Sequence, residues 1–534
     1  MRVHDQHNRA SMPRLGRRGF LAGAGLLALG ACTRSPVGSP GPRPAAPTAA
    51  PAPDAGLRRT ADRYRPRFHF TPPSGNLADP NGLVHFDGEY HLFHQSDGSW
   101  SHAVSADRWY WRDLPTAVPS TEASLALSGS AVVDHHDTSG LFGGGAGLVT
   151  VFTSTATGEA QSIATSPDGR TFTPYDANPV LPNDGRTDFR DPKVFRHQAT
   201  GRWVMVVATG DQVSLFGSAD LRDWEHLSDF GAGIGLHSAV WECPDLFPLP
   251  LDGDPAREKW VLHVSVGDSD ATEGSTAQWF VGDFDGTTFV RDGDPAAVDV
   301  TDFGQDFYAA QTWSDDPTGG RTWLGWMANW RYPYQAPTGD WHGAMSVPRE
   351  LALETRQGRP RLVQRPLSTE PLRAGTTGWT GFELSGVTTL AHRGTTFELV
   401  ATVSWDDAVE EVGVRVRSDG AGAHVATGLR PRDGQVFLDR SASGTEPLPA
   451  RDGSTVAFGR RTAAAGDTTP GRTYEIRVLV DTSSVEVFLD EGQNVGTNLV
   501  FTDPAHDGVE LYADGGALTV HALEIHDLEA IWTT

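Results

Sequence analysis

Four short segments share one pattern: SADRWYW (105–111), SPDGRTF (166–172), SADLRDW (218–224) and DFDGTTF (283–289). In each of them an aspartate stands four residues before an aromatic residue, and successive aspartates are 61, 52 and 65 residues apart. An aspartate in this setting accepts backbone N–H groups of a tight turn, so each copy predicts a turn that joins two strands. The segments between the copies are short runs of Val, Leu, Phe, Tyr and Trp broken by Gly, Asp, Asn or Pro, which indicates strands.

A repeat of about sixty residues with about four strands per copy is typical of a β-propeller blade. The repeat predicts five blades over residues 58–365, although chance recurrence of a common hairpin is the alternative. Farther along the chain, longer segments such as RTYEIRVLVD (472–481) alternate apolar and polar residues. This alternation predicts a two-sheet β-sandwich over residues 370–534. The expected fold is therefore all-β, a five-bladed β-propeller followed by a C-terminal β-sandwich.

The N-terminal residues have the pattern of an export signal and a spacer. Residues 1–31 contain a twin arginine (17–18) and an apolar run too short to span a membrane, which predicts a twin-arginine signal peptide. The segment LGAC (29–32) resembles a lipoprotein cleavage box, so we expect Cys32 to carry a lipid. A plain secretory signal with an incidental cysteine is the alternative. Residues 32–57 are rich in Pro and Ala and predict an extended linker. We expect an exported protein, either a cell-surface lipoprotein or a secreted one.

Composition and charge exclude several classes of function. The 534 residues include 43 Lys+Arg and 68 Asp+Glu, a net charge of -25, which argues against a nucleic-acid partner. The two cysteines, Cys32 and Cys243, exclude a disulfide scaffold and multi-cysteine metal sites. Only Lys193 and Lys259 are lysines, an arginine preference that we attribute to codon bias. No cofactor and no metal are predicted.

Three acidic residues stand in unusual settings. They are Asp79 in ADPNG (78–82), Asp191 in FRDPK (189–193) and Glu242 in VWECPDLF (240–247). Glu242 is flanked by Trp, Cys and Pro, so we expect it to be partly desolvated, as suits a general acid. Asp191 follows Arg190 and is expected to stay ionised. The alternative for Asp79 and Asp191 is that they only begin turns, since Asp-Pro is a common turn dipeptide.

The three acids are separated by 112 and 51 residues, which places them on different blades. Blade entrances converge on the central channel, so the acids are expected to meet in one funnel. In this order and with this repeat, the motifs resemble glycoside hydrolase family 32, which contains invertases, inulinases and levanases. Further segments that carry the resemblance are EYHLFHQ (89–95), SGSAVVD (128–134), DFYAAQTW (306–313) and GWMANW (325–330).

The resemblance implies a fold, a reaction and a set of site residues. Its fold is a five-bladed propeller followed by a β-sandwich, and its reaction is retaining transfer of a fructosyl group to water. Asp79 matches the nucleophile, Glu242 the acid/base and Asp191 the residue that stabilises the transition state. Retention requires nucleophile and acid/base carboxyl groups about 5 to 5.5 Å apart. The candidate substrate-binding residues are Asn81, Gln95, Trp100, Ser128, Arg190, Trp313 and Trp330.

Two features of the candidate sugar site are left open by the sequence. Trp100, Trp313, Trp330 and Tyr332 are candidates for stacking on sugar rings, and each of them could equally belong to the propeller core. Asn76-Leu77-Ala78 stand where the family usually carries Trp-Met-Asn, which removes an aromatic wall and a side-chain amide. This departure points away from ordinary invertase-like cleavage of sucrose and gives a slight preference for levan over inulin.

The expected function is that of a retaining β-fructofuranosidase that hydrolyses a fructan, levan or inulin, at the cell surface. The expected partner is a fructan or fructooligosaccharide substrate, and contact with a membrane is expected only through the lipid at Cys32. One alternative is a fructosyltransferase that passes the fructosyl group to a sugar acceptor. Another is a non-catalytic fructan-binding lipoprotein.

Overall fold

The computed structural model of the protein describes residues 62–532. The predicted signal peptide (1–31), the lipidation site Cys32 and the linker (32–57) lie outside the described residues. The secondary structure in this range is β apart from two short 3₁₀ helices. Within the described range, no helix has both the length and the hydropathy needed to span a membrane.

The N-terminal part of this range consists of a short strand and five groups of four strands. The short strand is β1 (Gly75–Asn76). The first group is β2 (Pro80–Phe86), β3 (Glu89–Ser96), β4 (Ser99–Ser105) and β5 (Trp111–Val118). The second is β6 (Ala126–Asp134), β7 (Gly147–Ser154), β8 (Ala160–Ser166) and β9 (Thr173–Pro174). The third is β10 (Phe189–His197), β11 (Arg202–Thr209), β12 (Gln212–Ser218) and β13 (Glu225–Phe230).

The remaining two groups are joined by one parallel bridge between their strands. The fourth is β14 (Trp241–Leu251), β15 (Asp254–Ser269), β16 (Gly274–Phe284) and β17 (Phe289–Arg291), with β18 (Asp299–Val300) beside β16. The fifth begins with β19 (Tyr308–Thr312) and β20 (Thr322–Trp326); β21 (Trp341–His342), which pairs with β1, follows. It ends with β22 (Arg349–Arg356) and β23 (Arg359–Pro366).

The first strands of the five groups form a closed ring. Strands β2, β6, β10, β14 and β19 each contact the first strands of the two neighbouring groups. Sheets arranged around an axis with their first strands innermost are the blades of a β-propeller. The five groups are consistent with the five blades that the repeat predicts.

The four aspartate turns join the third and fourth strands of the first four blades, as the repeat predicts. Asp107 Oδ1 accepts the backbone N–H groups of Trp109 and Tyr110, both at 2.9 Å. In the other three copies the aspartate accepts the N–H groups two and three residues later at 2.8 to 3.0 Å; these are Asp168, Asp220 and Asp285. The sequence signal is therefore a local hydrogen-bond pattern of the blade.

The C-terminal part is the predicted β-sandwich, preceded by a 3₁₀ helix (Glu370–Leu372) and interrupted by a second one (Pro431–Asp433). Its first strands are β24 (Arg373–Arg393), β25 (Phe397–Trp405), β26 (Glu411–Ser418), β27 (Val425–Arg430), β28 (Gln435–Asp439), β29 (Leu448–Pro449) and β30 (Thr455–Val456). The last are β31 (Arg460–Ala464), β32 (Tyr474–Asp481), β33 (Ser484–Leu489), β34 (Asn494–Leu499) and β35 (Gly508–Leu528). Strand β35 pairs with β26 through its first half and with β25 through its second half, so it belongs to both layers.

A buried ionic network joins the propeller to the sandwich. The His69 ring lies 2.8 Å from Asp481 Oδ2 through Nδ1 and 2.8 Å from Glu486 Oε1 through Nε2. Arg349 donates to Glu486 Oε2 at 2.6 Å and to Asp302 Oδ2 at 3.1 Å. All five side chains are at most 2 % exposed. Burial alone would lower the pKa of His69, but the bonds to the two sandwich carboxylates raise it to about 9.

Because His69 is protonated in the folded protein, its contribution to the free energy of unfolding depends on pH at alkaline values. Its pKa is about 9 in the folded protein against an ordinary value of 6.5, so its contribution is complete below pH 6.5 and is lost as the pH rises through 9. We expect His69→Gln to lower the free energy of unfolding by about 3 kcal/mol at pH 6, because it leaves buried carboxylates without their partner. The difference in Tm between His69→Gln and the wild type should decrease as the pH rises from 6.5 to 10.

Thermal unfolding at several pH values measures this difference. The matched control is His136→Gln, because His136 is exposed. We expect the control to leave Tm unchanged throughout. A difference for His69→Gln that stays constant up to pH 10 would contradict a protonated His69 in the folded state.

Candidate active site

Each of the five inner strands carries a β-bulge at its beginning. The pairing register with the second strand of the blade shifts between Asn81 and Val84, Ala126 and Gly129, Arg190 and Lys193, Glu242 and Asp245, and Tyr308 and Gln311. Four of these irregularities contain a residue with positive φ: Gly82 (53°), Asp191 (63°), Cys243 (49°) and Ala309 (54°). Bulges re-aim side chains, and a positive φ in a residue other than glycine costs energy. The bulges of β10 and β14 therefore hold a strained residue at or next to a predicted acid, Asp191 itself and Cys243 beside Glu242.

Asp79 lies directly before β2, and its backbone C=O accepts the Gln95 N–H at 3.0 Å. Its Oδ2 accepts a hydrogen bond from Ser128 Oγ at 2.7 Å and lies 3.8 Å from Cys243 Sγ. Its Oδ1 is buried, and no hydrogen-bond partner for it lies within residues 62–532. Burial raises the pKa of Asp79 to about 6, with a further contribution from the charge of Glu242, while the Ser128 bond opposes the shift.

Asp191 lies in the bulge of β10 and is fixed from two neighbouring blades. Its backbone N–H donates to Thr153 Oγ1 at 3.0 Å, and its Oδ2 accepts the Cys243 N–H at 3.0 Å. Cys243 Sγ lies 3.6 Å from the same Oδ2. Because that sulfur is also near Asp79 Oδ2, the two carboxylates are separated by no more than the sum of the two sulfur–oxygen distances.

Glu242 lies at the beginning of β14, and both of its oxygens accept hydrogen bonds. Arg190 donates to Oε1 through Nη2 at 2.8 Å and through Nε at 3.1 Å. Tyr308 Oη donates to Oε2 at 2.7 Å. The Glu242 side chain is 16 % exposed, which agrees with the partial desolvation expected from its neighbours in the sequence. Of the three acids, Glu242 accepts hydrogen bonds from the strongest donors, because one of them is the charged guanidinium of Arg190.

Asp191 is less readily ionised than its place beside Arg190 in the sequence suggests. Burial raises the pKa of Asp191, and the charges of Glu242 and Asp79 raise it further, although Arg190 opposes the shift. The Arg190 side chain donates to Glu242 and, through Nη1, to Asp188 at 2.7 Å. Adjacency in the sequence therefore did not make Arg190 the hydrogen-bond partner of Asp191.

The structure brings four of the other candidate residues to the same place. Ser128 donates to Asp79, and Arg190 donates to Glu242. Asn81 is fully buried; its Oδ1 accepts the Gly129 N–H at 3.2 Å, and its Nδ2 has no partner in the part of the chain that the structure describes. The half-buried Gln95 donates to the Ala126 C=O at 3.0 Å.

Only one of the four aromatic candidates has a ring surface open to a sugar. Trp330 is partly exposed, and its ring centroid lies 6.4 Å from that of Tyr308. Trp100 and Trp313 are 0 % exposed and donate to the backbone C=O groups of Leu127 and His91. Their assignment as sugar-binding residues is wrong, because a ring with no exposed face cannot stack on a sugar. Tyr332, 2 % exposed and bonded to Asp306, is likewise a core residue.

Sequence reasoning missed Tyr308, which donates to Glu242, and the bridging position of Cys243 between two carboxylates. Tyr308 begins β19, the inner strand of the fifth blade. The acids lie at or near the beginnings of other inner strands, so this position in the sequence could have pointed to Tyr308. Burial holds the pKa of the Tyr308 hydroxyl well above its ordinary range, so it remains a donor. Tyr334 was also missed: it is half-buried, and burial raises its pKa with a contribution from the charge of Asp79.

The segment that departs from the family pattern forms the edge of this site. Leu77 is buried in the core, and Ala78 donates its N–H to the Gln95 C=O at 3.0 Å. Asn76 donates to Asp97 Oδ1 at 2.8 Å at the protein surface. The side-chain amide of Asn76 is therefore already hydrogen-bonded to Asp97. Within residues 62–532, no group of three or more His, Cys, Asp or Glu side chains is placed to hold a metal ion.

The chain is similar to known proteins over nearly all of the described range. Residues 69–366 match the family described as glycosyl hydrolases family 32 N-terminal domain, and residues 369–527 match glycosyl hydrolases family 32 C terminal. The levanase of Bacillus subtilis (strain 168) is 42% identical over 88% of this chain and 71% of that protein. The extracellular exo-inulinase inuE of Aspergillus ficuum is 35% identical over 88% of this chain and 95% of that protein.

Solved structures share the fold. The crystal structure of exo-inulinase from Aspergillus awamori superposes with a TM-score of 0.80 at 31% identity, covering 88% of this chain and 99% of that one. The predicted all-β fold, a propeller followed by a β-sandwich, is therefore confirmed.

The geometry around Cys243 predicts an inert thiol. Cys243 is 2 % exposed, and burial raises the pKa of its thiol well above the ordinary value, with the neighbouring carboxylates adding to the shift. We expect the peptide that contains Cys243 to remain unmodified by iodoacetamide at pH 8 in the native protein and to be alkylated after unfolding in guanidinium chloride. Peptide mass spectrometry measures both states. Native labelling at the rate of free glutathione would contradict the burial described here.

Proposed function

Since the chain belongs to glycoside hydrolase family 32, we propose that it is a retaining β-fructofuranosidase that hydrolyses fructan outside the cell, with levan preferred over inulin. The chain is a glycoside hydrolase of the fructan-cleaving type, as its relatives are. The observation that carries the finer proposal is the meeting of Asp79, Asp191 and Glu242 around Cys243 and Arg190. The preference for levan is supported by the altered pocket edge at Asn76 and Ala78 and by the higher identity to levanase than to exo-inulinase.

In this proposal Asp79 is the nucleophile. Ser128 holds its Oδ2, and its Oδ1 has no hydrogen-bond partner within residues 62–532. Attack of the Asp79 carboxylate on the anomeric carbon forms a covalent fructosyl-enzyme, and the rest of the fructan chain leaves with the proton that Glu242 donates. A second displacement by water breaks the bond to Asp79 and restores the original anomeric configuration, as in other retaining glycosidases.

Glu242 is the acid/base of both steps. It protonates the leaving oxygen as the fructosyl bond breaks and removes a proton from water in the second step. Arg190 donates to Glu242 Oε1 from the other side of the site. Tyr308 holds Oε2 from the neighbouring fifth blade, so the carboxyl group keeps its direction while its proton leaves and returns.

Asp191 is the residue that stabilises the transition state. It is held by the Cys243 N–H, at a bulge whose positive φ aims the carboxyl group into the site. Hydrogen bonds from sugar hydroxyls to Asp191 would strengthen as positive charge develops on the fructosyl ring. Asn81, Gln95, Ser128, Arg190 and Trp330 complete the proposed fructosyl site.

We also propose that the enzyme is exported, because levan and inulin are polymers too large to enter a cell intact. The extracellular exo-inulinases among the relatives support a secreted enzyme. The finer assignments are a twin-arginine signal (1–31) ending at the lipidated Cys32 and a linker (32–57). The propeller would then take residues 58–365 and the sandwich residues 370–534, boundaries that the family matches support.

Substitution of the acids tests the proposed roles. We expect Asp79→Asn and Glu242→Gln each to lower kcat for fructose release from levan by roughly 10²- to 10⁴-fold or more, since each removes a group that takes part in bond breaking. The matched control is Glu122→Gln, because Glu122 is exposed on the propeller. Reducing-sugar release and thermal unfolding should be measured together. Fructose release by Asp79→Asn at the wild-type rate would refute the assignment.

A substrate panel tests the reaction itself. Levan, inulin and sucrose are each incubated with the enzyme, and the products are resolved by chain length. We expect free fructose as the product and the highest kcat/KM on levan. Longer oligomers or cyclic dianhydrides would instead identify a fructosyltransferase, and levan binding without any product would identify a fructan-binding protein.

A further inference from the structure

An ion pair is buried directly beyond the catalytic bulges. Lys193 Nζ lies 3.0 Å from Asp245 Oδ2, and the two side chains are 5 % and 0 % exposed. Lys193 comes two residues after Asp191, and Asp245 comes three residues after Glu242, so each bulge ends at a member of the pair. The pair therefore links the strands that carry two of the three acids.

The third strand of the site is tied to the same pair. Lys193 Nζ donates to the Thr312 C=O at 2.9 Å, and the Thr312 N–H donates to Asp245 Oδ2 at 2.6 Å. The neighbouring Gln311 donates through Nε2 to the C=O groups of Cys243 and Pro244 at 3.3 and 3.1 Å. Strand β19 also begins with Tyr308, the donor to Glu242. Strands β10, β14 and β19 are thus joined where their bulges end.

The choice of lysine at this position is itself informative. Of the 43 basic residues only Lys193 and Lys259 are lysines, and Lys259 pairs with Asp283 and Asp292 toward the protein surface. Arginine is the default cation of this chain, but its planar guanidinium presents donors in a fixed fork. The compact ammonium of Lys193 serves one carboxylate oxygen and one backbone oxygen in a closed space.

We propose that Lys193 and Asp245 form a positioning pair for the catalytic acids, an inference that rests on the proposed function. The pair fixes the direction of the three bulges. It also neutralises the charge of Asp245, which would otherwise be a fourth carboxylate behind Asp79, Asp191 and Glu242. Asp245 Oδ1 has no hydrogen-bond partner among the described residues; Lys193 is the ion-pair partner of Asp245, and Arg321 and His263 also face its charge.

The charge of an uncompensated Asp245 would act on the acids through the protein interior. The separation along a strand of two to three residues is roughly 7 to 10 Å. At that distance, in the effective dielectric of a protein, one buried charge moves the titration of another by about one pH unit. Loss of Lys193 alone should therefore make the acids hold their protons to higher pH.

Three variants test the pair through the pH dependence of kcat/KM on levan. Lys193→Met should move the acidic limb up by about one pH unit. The double variant Lys193→Met/Asp245→Asn should return the limb to its wild-type position because the uncompensated charge is gone, yet kcat should stay about tenfold low at unchanged KM because the tie between strands is weaker. Lys259→Met is the matched control and should change neither quantity.

A cavity of about 330 Å³ lined by Lys193, Asp245, Thr312 and Arg321 provides a second measurement. Ethylammonium added to Lys193→Ala should enter this cavity and restore both the acidic limb and kcat with a saturable dependence on its concentration. We expect Lys193→Arg to have a kcat on levan below that of the wild type, because the guanidinium does not fit the geometry of the ammonium.

The outcomes separate a positioning role from a structural one. A lower Tm with a wild-type acidic limb in Lys193→Met would overturn the proposal and leave only a structural pair. If Lys193→Met does not fold, the double variant decides, because removing both partners of a buried pair is often neutral for stability. Wild-type kcat, KM and pH profile in the double variant would also overturn it. Failure of the proposed function is distinct, since the wild-type enzyme would then release no fructose.

Discussion

The structure depends on one constraint: three carboxylates must be held close together, largely out of water, although like charges repel. The inner strands meet this constraint with backbone geometry, because the bulges at their beginnings turn the acids toward a common space. Hydrogen bonds then compensate each acid separately. Ser128 serves Asp79, the Cys243 N–H serves Asp191, and Arg190 with Tyr308 serves Glu242. A closed ring of inner strands cannot relax one bulge without disturbing its neighbours, and this is what keeps the strained positions in place.

The sandwich acts on the site through the segment that leads into it. His69 is fixed between Asp481 and Glu486, and the adjacent Phe70 accepts the Met345 N–H through its C=O at 2.9 Å. Ten residues after His69 the chain reaches Asp79. The sandwich thus fixes the segment that leads into the first blade of the propeller, although the three acids all lie in the propeller. Buried ion pairs of this kind add little net stability but are costly to break, so they define one relative placement of the two domains.

Most of what the sequence predicts here comes from local chemistry. The aspartate turns were predictable because the carboxylate of each one binds N–H groups only two and three residues away. The three acids were found because their neighbours are unusual. The burial of Trp100 and Trp313 was not predictable, since it depends on which neighbouring blade covers each ring. The same holds for Asp191: its pKa is raised mainly by burial, which packing decides and adjacency to Arg190 in the sequence does not reveal.

The central claim is that Asp79 forms the bond to the sugar. The most direct measurement is to mix the Glu242→Gln variant with a fructoside that carries a leaving group needing no protonation, quench the reaction rapidly and analyse the peptides by mass spectrometry. We expect the peptide containing Asp79 to gain the mass of one fructosyl residue, because attack by Asp79 proceeds while the hydrolysis step lacks its base. A fructosyl group on the peptide of Asp191 or Cys243, or a product with inverted anomeric configuration, would contradict it.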